Sequence, residues 1–598
     1  MPFQVSPGVN VSEIDLTTVI PAVSTSVGAF AGRFRWGPAL TSVLITSEDE
    51  LYKTFGKPTT NNAVDFFTAA NFLSYTSALK VVRAINAGSF NAQEIAPAAA
   101  DGVQIPNDDY WNGAMLQAGS ADVLLANTFY AKYPGIVGNE IKVELCDTAG
   151  DATGLAGGFK SWWPNTFFAE APGTSEYASN RGSANDEVHI AIFNKTVGGA
   201  FSPSANGVLE LYPFLSKASD AKDASGESSY FKDVINRKSS YIRIGSPTAA
   251  TNTSYGLAAR DATQFGNTST GMFGATLSGG TDVPSDTGFL AVADYQKAWD
   301  LFKDADQEDV SLLVAGAGAD QGDTTAHSET GVGYIIDIAS TRKDCVAFVS
   351  PSKDDVVDKT TDASKLSALT AVGTGFRTAK VNKNTSYAFL DSGWKYQYDK
   401  YNAVYRWIPL NGDVAGLTAR TDQSRDPWWS PAGYNRGQIK NVVKLAYNPS
   451  QAHRDALYQK QINPVVSFPG QGTLLFGDKT MQTRPSAFDR LNVRRLFIVL
   501  EKAISTAAKF SLFEFNDTFT RSQFRNMVEP FLRDVQGRRG VTDFKVVCDE
   551  TNNPGSVVDR NEFVGDIYIK PSRSINYIQL NFVAVATGVD FSEVVGKF

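Results

Sequence analysis

Residues 310–315 read VSLLVA and are followed by a helical pattern over 331–342 and by a second apolar run, CVAFV, at 345–349. Another helical pattern, over 292–304, precedes them. Short apolar strands that alternate with helices of this length predict a mainly parallel sheet with helices packed against it. The stretch therefore places the centre of the chain in the α/β class.

The same pattern begins near residue 22. Apolar side chains recur at helical spacing over residues 62–77, and KVVRAI at 80–85 has the composition of a buried strand. After an interruption the pattern returns around 208–244. We therefore predict a middle α/β domain in two segments, 22–90 and 191–350.

Residues 91–190, between these segments, differ from them in charge. They hold 13 Asp and Glu against 4 Lys and Arg, a net charge of −9 in a chain whose total is −8, so the remaining residues sum to about +1. Their helical periodicity is weak, which predicts an inserted acidic β-rich surface domain. An acidic surface argues against nucleic-acid binding, which requires a basic stripe. An acidic face with no further role is the alternative.

The last part of the chain predicts a separate C-terminal domain, 351–574. At 598 residues the chain exceeds the size at which a single core stops growing, so several domains are expected. Aromatic-rich strands over 386–408 belong near the far edge of the sheet. A long amphipathic helix is predicted from Asn492, as its N-cap, to Phe510.

A second helix in this domain is predicted to begin at Thr520, where Thr520 and Gln523 have the spacing of a capping box. It should end near Gly537, and Pro530 should kink it. Residues 521–539 carry five arginines against Glu529 and Asp534, a local charge of +3. These arginines suit an acidic protein surface or phosphate, and a solvated helix face is the alternative.

Both ends of the chain have the character of extended arms. Residues 1–21 are rich in strand formers that Pro7 and Gly8 interrupt, and 575–598 contain the alternating strand SINYIQLNFVAVA. Such an arm cannot satisfy its own backbone groups and needs the edge of a partner sheet. The residues expected to make these contacts are Val5, Val9, Val11 and Ile14 in the first arm, and Ile578, Leu580, Phe582 and Val585 in the second.

Residues that could carry catalysis are few. His189, His327 and His453 lie outside any metal-ligand spacing, and the glycine-rich AGAGAD at 315–320 lacks the lysine that phosphate binding requires. We therefore predict no catalytic residue, no cofactor and no metal. A subtilisin-like hydrolase is the enzymatic alternative, because its Asp, His and Ser triad is built on a parallel sheet flanked by helices.

The cysteines and the N-terminus bear on the compartment. Cys146, Cys345 and Cys548 lie far apart without a disulfide pattern, which fits a reducing cytoplasm. The first residues, MPFQVSPGVNVSEID, lack the features of a signal peptide, and no apolar run approaches 18 residues. We expect neither export by that route nor insertion into a membrane.

Several stretches resemble one known family in the same order along the chain. They are GRFRWGPA (32–39), LYKTFGKP (51–58), AKYPGIVGNEIKV (131–143), VLELYPFLSKASDAK (208–222), GDVAGLTARTD (412–422), PWWSPAG (427–433), LNVRRLFIVLEKAI (491–504), FRNMVEPFLRDVQGRRG (524–540) and GDIYIKPSRSINYIQLNFVAV (565–585). They are similar to the tail sheath proteins of contractile-tailed phages of the T-even-like type. The resemblance is strongest from residue 387 onward and weakest in the acidic insertion.

This resemblance implies a structural protein. Subunits of the family form stacked hexameric rings around a tail tube, and terminal arms add strands to the C-terminal domains of neighbours. Contraction of the sheath drives the tube through the bacterial envelope. The implied fold is a subtilisin-like central α/β domain without protease activity, an inserted β-rich domain and a C-terminal α+β domain.

The resemblance also implies partners and a location. The partners are further copies of the chain, the tail tube protein, and baseplate and tail terminator proteins, and nucleic acid is not contacted directly. Arg521, Arg525 and Arg533 are predicted to face carboxylates of the tube. The protein is expected in the virion tail after assembly in the host cytoplasm. A sheath of a non-phage contractile device, such as a pyocin-like particle, is the nearest alternative.

Overall fold

The computed structural model describes residues 25–94, 102–115, 129–148, 158–182, 184–195, 207–245, 272–282, 290–317, 331–576 and 579. The predicted arm over 1–21, the four predicted contact residues of the C-terminal arm, and His327 lie outside these ranges. The chain divides into two compact units. Among the described residues, the smaller unit comprises 428–430 and 511–579, and the larger unit comprises the rest.

The strands of the described residues are numbered in chain order as β1 (Gly28–Gly32), β2 (Ser42–Ile45), β3 (Leu79–Arg83), β4 (Phe129–Ala131), β5 (Ile141–Cys146), β6 (Glu187–Asn194), β7 (Val208–Ser216), β8 (Ile242–Ile244), β9 (Met272–Thr276), β10 (Leu312–Val314), β11 (Val346–Val349), β12 (Ala388–Leu390), β13 (Trp394–Asp399), β14 (Val404–Pro409), β15 (Lys444–Leu445), β16 (Val465–Phe468), β17 (Gly472–Leu475), β18 (Val541–Val547) and β19 (Asp566–Pro571). The helices of eight or more residues are Glu48–Phe55, Ala63–Leu73, Phe231–Lys238, Val292–Asp300, Gly333–Arg342, Asp362–Thr370, Asn411–Ser424, Gln451–Gln459, Leu491–Ala508 and Thr518–Gly537.

A six-stranded sheet organises the larger unit. Its order is β12-β11-β10-β1-β3-β2, and every neighbouring pair is parallel except β2 with β3. The mainly parallel sheet predicted from the alternation of strands and helices is thus confirmed. The aromatic-rich residues of the predicted edge supply β12, which is an edge strand.

Both faces of this sheet are buried. The side chains of successive residues in one strand pack into two different hydrophobic cores, one on each face. Ala29 of β1 belongs to one core and Phe30 to the other. The first core includes residues of helices Val292–Asp300 and Gly333–Arg342, and the second includes residues of helices Ala63–Leu73 and Asn411–Ser424. Parallel strands require such cover on both faces, which explains their continuous apolar runs.

The β-rich region extends further along the chain than the sequence indicated. Strands β7, β6, β5 and β9 form an antiparallel sheet in this order, and β4 pairs with β8. Residues 208–216 and 272–276 therefore belong to the β-rich layer, although 191–350 had been assigned to the α/β domain. The partner of β9, β5, is distant in sequence, so local patterns do not show that pairing. Among the described strands, β7 follows its partner β6 directly along the chain, and the predicted domain boundary between residues 190 and 191 falls inside β6, which is why the two strands were assigned to different domains.

The long helix Leu491–Ala508 begins two residues earlier than its predicted cap requires. Arg490 is the N-cap, with extended dihedral angles, and Asn492 lies buried inside the first turn. The prediction of Asn492 as the cap was wrong, because the backbone becomes helical at Leu491. The predicted apolar stripe is confirmed, since Val493, Leu496 and Leu500 are buried.

Candidate assembly surface

The smaller unit contains a ribbon of two strands. Strands β18 and β19 pair antiparallel, with Val541 opposite Pro571 and Val547 opposite Asp566. Among the described residues each strand has this one partner, so each leaves one edge unpaired. The backbone N–H and C=O groups of an open edge are a template for a further strand. Within the described part of the chain, both outer edges of the ribbon are candidates for strand addition.

Helix Thr518–Gly537 packs against this ribbon. Phe524, Val528, Leu532 and Val535 form its buried face. The carboxylate of Asp517 accepts a hydrogen bond from the backbone N–H of Thr520 at 2.8 Å and so caps the helix. The predicted capping box of Thr520 with Gln523 was wrong, because both residues already lie inside the helix.

The end of this helix agrees with the sequence. Gly537 is the last helical residue, as predicted. Pro530 lies within the helix and supplies no N–H to it. The kink expected at Pro530 stays a prediction.

The three arginines predicted to contact a tube occupy different environments. Arg521 is buried, and its guanidinium donates to the side-chain oxygen of Asn516 at 2.8 Å and to the Asn516 carbonyl at 3.2 Å. Arg525 and Arg533 are exposed and lie 3.9 and 3.7 Å from the carboxylate of Glu529. Arg525 and Arg533 therefore keep much of their side chains accessible to solvent, whereas Arg521 holds the turn before the helix.

An apolar segment of the smaller unit is exposed. Within Ser511–Phe519, Leu512, Phe513, Phe515 and Phe519 expose 63%, 105%, 85% and 69% of their surface. Phe513 also has a φ of 69°, a conformation that costs energy for a bulky residue. Large apolar side chains displayed together mark a surface that a partner covers.

This exposure was not predicted, since apolar residues beside a predicted helix are ordinarily expected to be buried. The run FSLFEF is nonetheless a signal that could have been used, because its apolar positions do not continue the stripe of either flanking helix. The exposed phenylalanines were missed because this break in the apolar stripe was not used in the prediction.

His189 has a structural environment. Its Nε2 lies 2.9 Å from the carbonyl of Glu170, and its Nδ1 accepts a hydrogen bond from the backbone N–H of Phe214 at 3.1 Å. Burial lowers the pKa of the imidazole, which favours the neutral form. Both ring nitrogens are engaged by backbone groups, so His189 is not placed to act as the base of a triad.

A buried polar cluster follows the carboxyl ends of β11 and β12, where α/β proteins often bind ligands. The hydroxyl of Ser350 donates to Asp391 at 2.6 Å and accepts from the backbone N–H of Asn411 at 3.0 Å. Burial, and to a lesser degree the charge of Asp413, raises the pKa of Asp391 to about 8, against the opposing hydrogen bond from Ser350. These groups satisfy one another, and the cluster joins two strands to the start of helix Asn411–Ser424.

The described residues also bear on possible disulfides, metal sites and membrane-spanning helices. Cys146, Cys345 and Cys548 are free and buried, so they form no disulfides. The described ranges bring no three metal-ligating side chains into one group. None of the described helices combines the length and apolar character needed to cross a membrane.

Comparison with protein families gives two adjoining matches. A model described as the phage tail sheath protein central domain matches residues 290–481, and one described as the phage tail sheath C-terminal domain matches 483–584. The two family models adjoin between residues 481 and 483, after β17. The sequence predicted the start of the C-terminal domain at residue 351. Strand β12 joins the six-stranded sheet, so residues beyond 351 contribute to the α/β layer.

The relatives that match over the full length of the chain are described as tail sheath proteins. The chain is 36% identical to a tail sheath protein of Vibrio phage KVP40 and 34% identical to a tail sheath protein of Enterobacteria phage T4, with 99% of both chains covered in each case. The crystal structure of a sheath tail protein from Listeria innocua has a TM-score of 0.51 at 12% identity, covering 92% of this chain and 96% of that one. At this identity the structural likeness shows the fold alone.

Proposed function

From the premise that this chain belongs to the tail sheath protein family of contractile-tailed phages, we propose that it polymerises into a helical sleeve of stacked hexameric rings around a tail tube. The sleeve shortens and drives the tube through the bacterial envelope. The partners are further copies of the chain, the tube, and baseplate and terminator proteins. Assembly takes place in the host cytoplasm.

The observation that supports this proposal is the open ribbon of β18 and β19. An arm of one subunit that adds to a ribbon edge of another is held by backbone hydrogen bonds, whose strength does not depend on how the two bodies are oriented. The arms at 1–21 and 575–598 supply strands of suitable composition, through Val5, Val9, Val11 and Ile14 and through Ile578, Leu580, Phe582 and Val585. Strand exchange therefore keeps subunits linked while they rotate.

The exposed segment Ser511–Phe519 belongs to the same compact unit as the ribbon. Four side chains of this segment would be covered in the polymer: Leu512, Phe513, Phe515 and Phe519. Full burial of each would stabilise the polymer by about 1.5 to 3 kcal/mol. The arms and their apolar faces are suitable covers, since 577–589 contain no charged residue. Assembly thus removes an apolar surface that water disfavours.

Contact with the tube is assigned to Arg525 and Arg533, which face outward on helix Thr518–Gly537. Arg521, predicted to join them, acts on their position through Asn516. Tube carboxylates would compete with Glu529 for both guanidinium groups.

The parallel sheet is proposed to be a subtilisin-like scaffold used without protease activity. Its role is mechanical, because it fixes helices on both faces into one rigid layer. The engagement of both His189 nitrogens by backbone groups supports this reading.

Electron microscopy of the purified full chain, with and without isolated tail tubes, tests the function. We expect hollow tubes or shortened polymers from the chain alone and regular sleeves on tubes. A chain that stays monomeric in both conditions at high concentration contradicts the proposal, and turnover of a peptide substrate would favour the hydrolase.

A further inference from the structure

Two adjoining cavities in the larger unit have cationic walls. They measure about 370 and 720 Å³ and share Arg420. Arg425 and Arg436 line the first, and Lys440 and Lys444 line the second. Among the described residues that form these walls there is no Asp or Glu. We call the surface made by these five residues the cationic cleft.

Rigid backbone supports the cleft. The N–H of Lys440 donates to the hydroxyl of Tyr75 at 2.7 Å, and the carbonyl of Lys440 accepts from the ammonium of Lys395 at 3.0 Å. Lys395 is itself buried in an ion pair with Asp413 at 2.9 Å. The wall at Lys440 is therefore fixed by a buried network before any partner arrives, which lowers the entropic cost of binding.

The lysines of the cleft are held without being neutralised. The ammonium of Lys440 donates to the Ser74 carbonyl at 2.6 Å and lies 4.8 Å from the ring centre of Tyr75. The ammonium of Lys444 lies 5.0 and 5.5 Å from the rings of Tyr396 and Trp407. Carbonyl and aromatic contacts orient a cation but leave its charge uncompensated.

The arginines add to this field. Burial, and then the like charge of Arg425, lowers the pKa of Arg436. The stretch 420–444 has five cations and two carboxylates, an excess of three positive charges. Asp422 is committed to a buried ion pair with Arg495. Arg425, Asp426 and Arg436 have interactions of their own, so the positive field of the cleft depends on this excess and on the two lysines. The cleft therefore favours an anionic partner, and its extent across both cavities suits a macromolecular surface.

This chain carries a complementary surface itself. The net charge of −9 is confined to 91–190, while the other residues sum to about +1. Asp109, Glu170 and Glu176 are exposed carboxylates of that region. Two unlike, complementary patches on one chain make head-to-tail contacts, which propagate as rings or helical filaments.

We propose that the cationic cleft binds the acidic β-rich region of a second copy of this chain. The contact is separate from the arms and from the tube, and it rests on the proposed function only in requiring that copies polymerise. It gives the acidic region a role within the sleeve.

Charge reversal in the full chain tests the contact. The triple variant Arg420→Glu, Arg425→Glu and Arg436→Glu should remain folded and should raise the critical concentration for polymerisation without tubes at least tenfold. Added salt should raise the critical concentration of the unaltered chain, because the contact is screened. The matched control reverses three exposed cations elsewhere, Lys238, Lys303 and Lys353, and should polymerise normally.

Rescue identifies the partner. Copies with Asp109→Lys, Glu170→Lys and Glu176→Lys should co-polymerise with the cleft-reversed copies, although each variant alone should fail. If the cleft variant unfolds, Arg420→Gln, Arg425→Gln and Arg436→Gln provide the same comparison with a smaller expected loss.

Three results would overturn the inference: normal polymers from the cleft variants, loss without rescue, or loss confined to assembly on tubes. The last would assign the cleft to the tube. Failure of the unaltered chain to polymerise counts instead against the proposed function.

Discussion

Asp391 shows how one buried residue makes stability depend on pH. Its pKa of about 8 in the folded protein lies above the value near 3.9 expected in the unfolded chain. Between these values the folded state keeps a proton that the unfolded state has released, so stability falls as pH rises through the window and levels off above the folded pKa. In the middle of the window the free energy of unfolding should fall by about 1.4 kcal/mol for each pH unit.

Asp391→Asn removes this titration while keeping the shape of the side chain. We expect the variant to gain stability relative to the unaltered protein as pH is raised from 5 to 7, by about 3 kcal/mol in total at most. Denaturant unfolding of the larger unit at pH 5, 6 and 7 measures the difference. Asp455→Asn, at an exposed position on helix Gln451–Gln459, is the control. A constant difference across these pH values would contradict the assignment.

Arg525 and Arg533 test the contact with the tube at the same scale. Reversing both to Glu places three carboxylates at four-residue spacing around Glu529, which costs the helix a few tenths of a kcal/mol per pair. We expect polymers without tubes to persist and binding of isolated tubes to fall at least tenfold, as measured by co-sedimentation. Arg560→Glu, an exposed change in the same unit, should leave tube binding intact. Equal tube binding by all three proteins would remove these arginines from the interface.

Among the elements, the N-terminal arm carries the clearest expectation. Deleting residues 1–20 should leave the thermal midpoint of the subunit within a few degrees of the full chain, because an arm that adds a strand to a neighbouring copy contributes its backbone hydrogen bonds to that copy and not to the fold of its own subunit. Sleeves and polymers should be absent from electron micrographs. Replacing Val5, Val9, Val11 and Ile14 together with Ser keeps the length of the arm and should weaken assembly less than deletion. Normal polymers from the deleted chain would refute strand exchange by this arm.

Among the elements, the parallel sheet was predicted well and the antiparallel layer was not. The parallel sheet was predictable because β10 and β11 are continuous apolar runs separated by helices. The pairing of β9 with β5 was not, since these strands lie more than a hundred residues apart and leave only local alternation in the sequence. The pairing of β7 with the preceding strand β6 was missed because the predicted domain boundary fell inside β6. Both helix caps were misplaced by two or three residues, because the backbone angles at Arg490 and Asp517 decide the cap. For the assembly surface, the arginine excess was visible, but the burial of Arg521 and the exposure of Phe513 depend on tertiary packing.

For the whole molecule, contraction must be driven by the sleeve itself. If each subunit buries ~400 Å² more apolar area in the contracted form, the gain is roughly 10 kcal/mol per subunit at ~25 cal/mol/Å². We expect the extended sleeve to be metastable, to contract irreversibly on mild heating without nucleotide, and to release heat. Scanning calorimetry combined with microscopy before and after the transition measures this. Contracted sleeves that return to the extended form on cooling would contradict the expectation.

The unfinished ribbon has a consequence for how the particle grows. Helix Thr518–Gly537 supports the two strands of the ribbon in a lone subunit, and in the proposed strand exchange the next copy attaches at an open edge of this ribbon. Each arrival completes the ribbon of its predecessor and brings an incomplete ribbon of its own. Growth then proceeds from occupied ends, so a first ring that is already in place should start a sleeve at lower concentrations than free subunits need to start a polymer in solution.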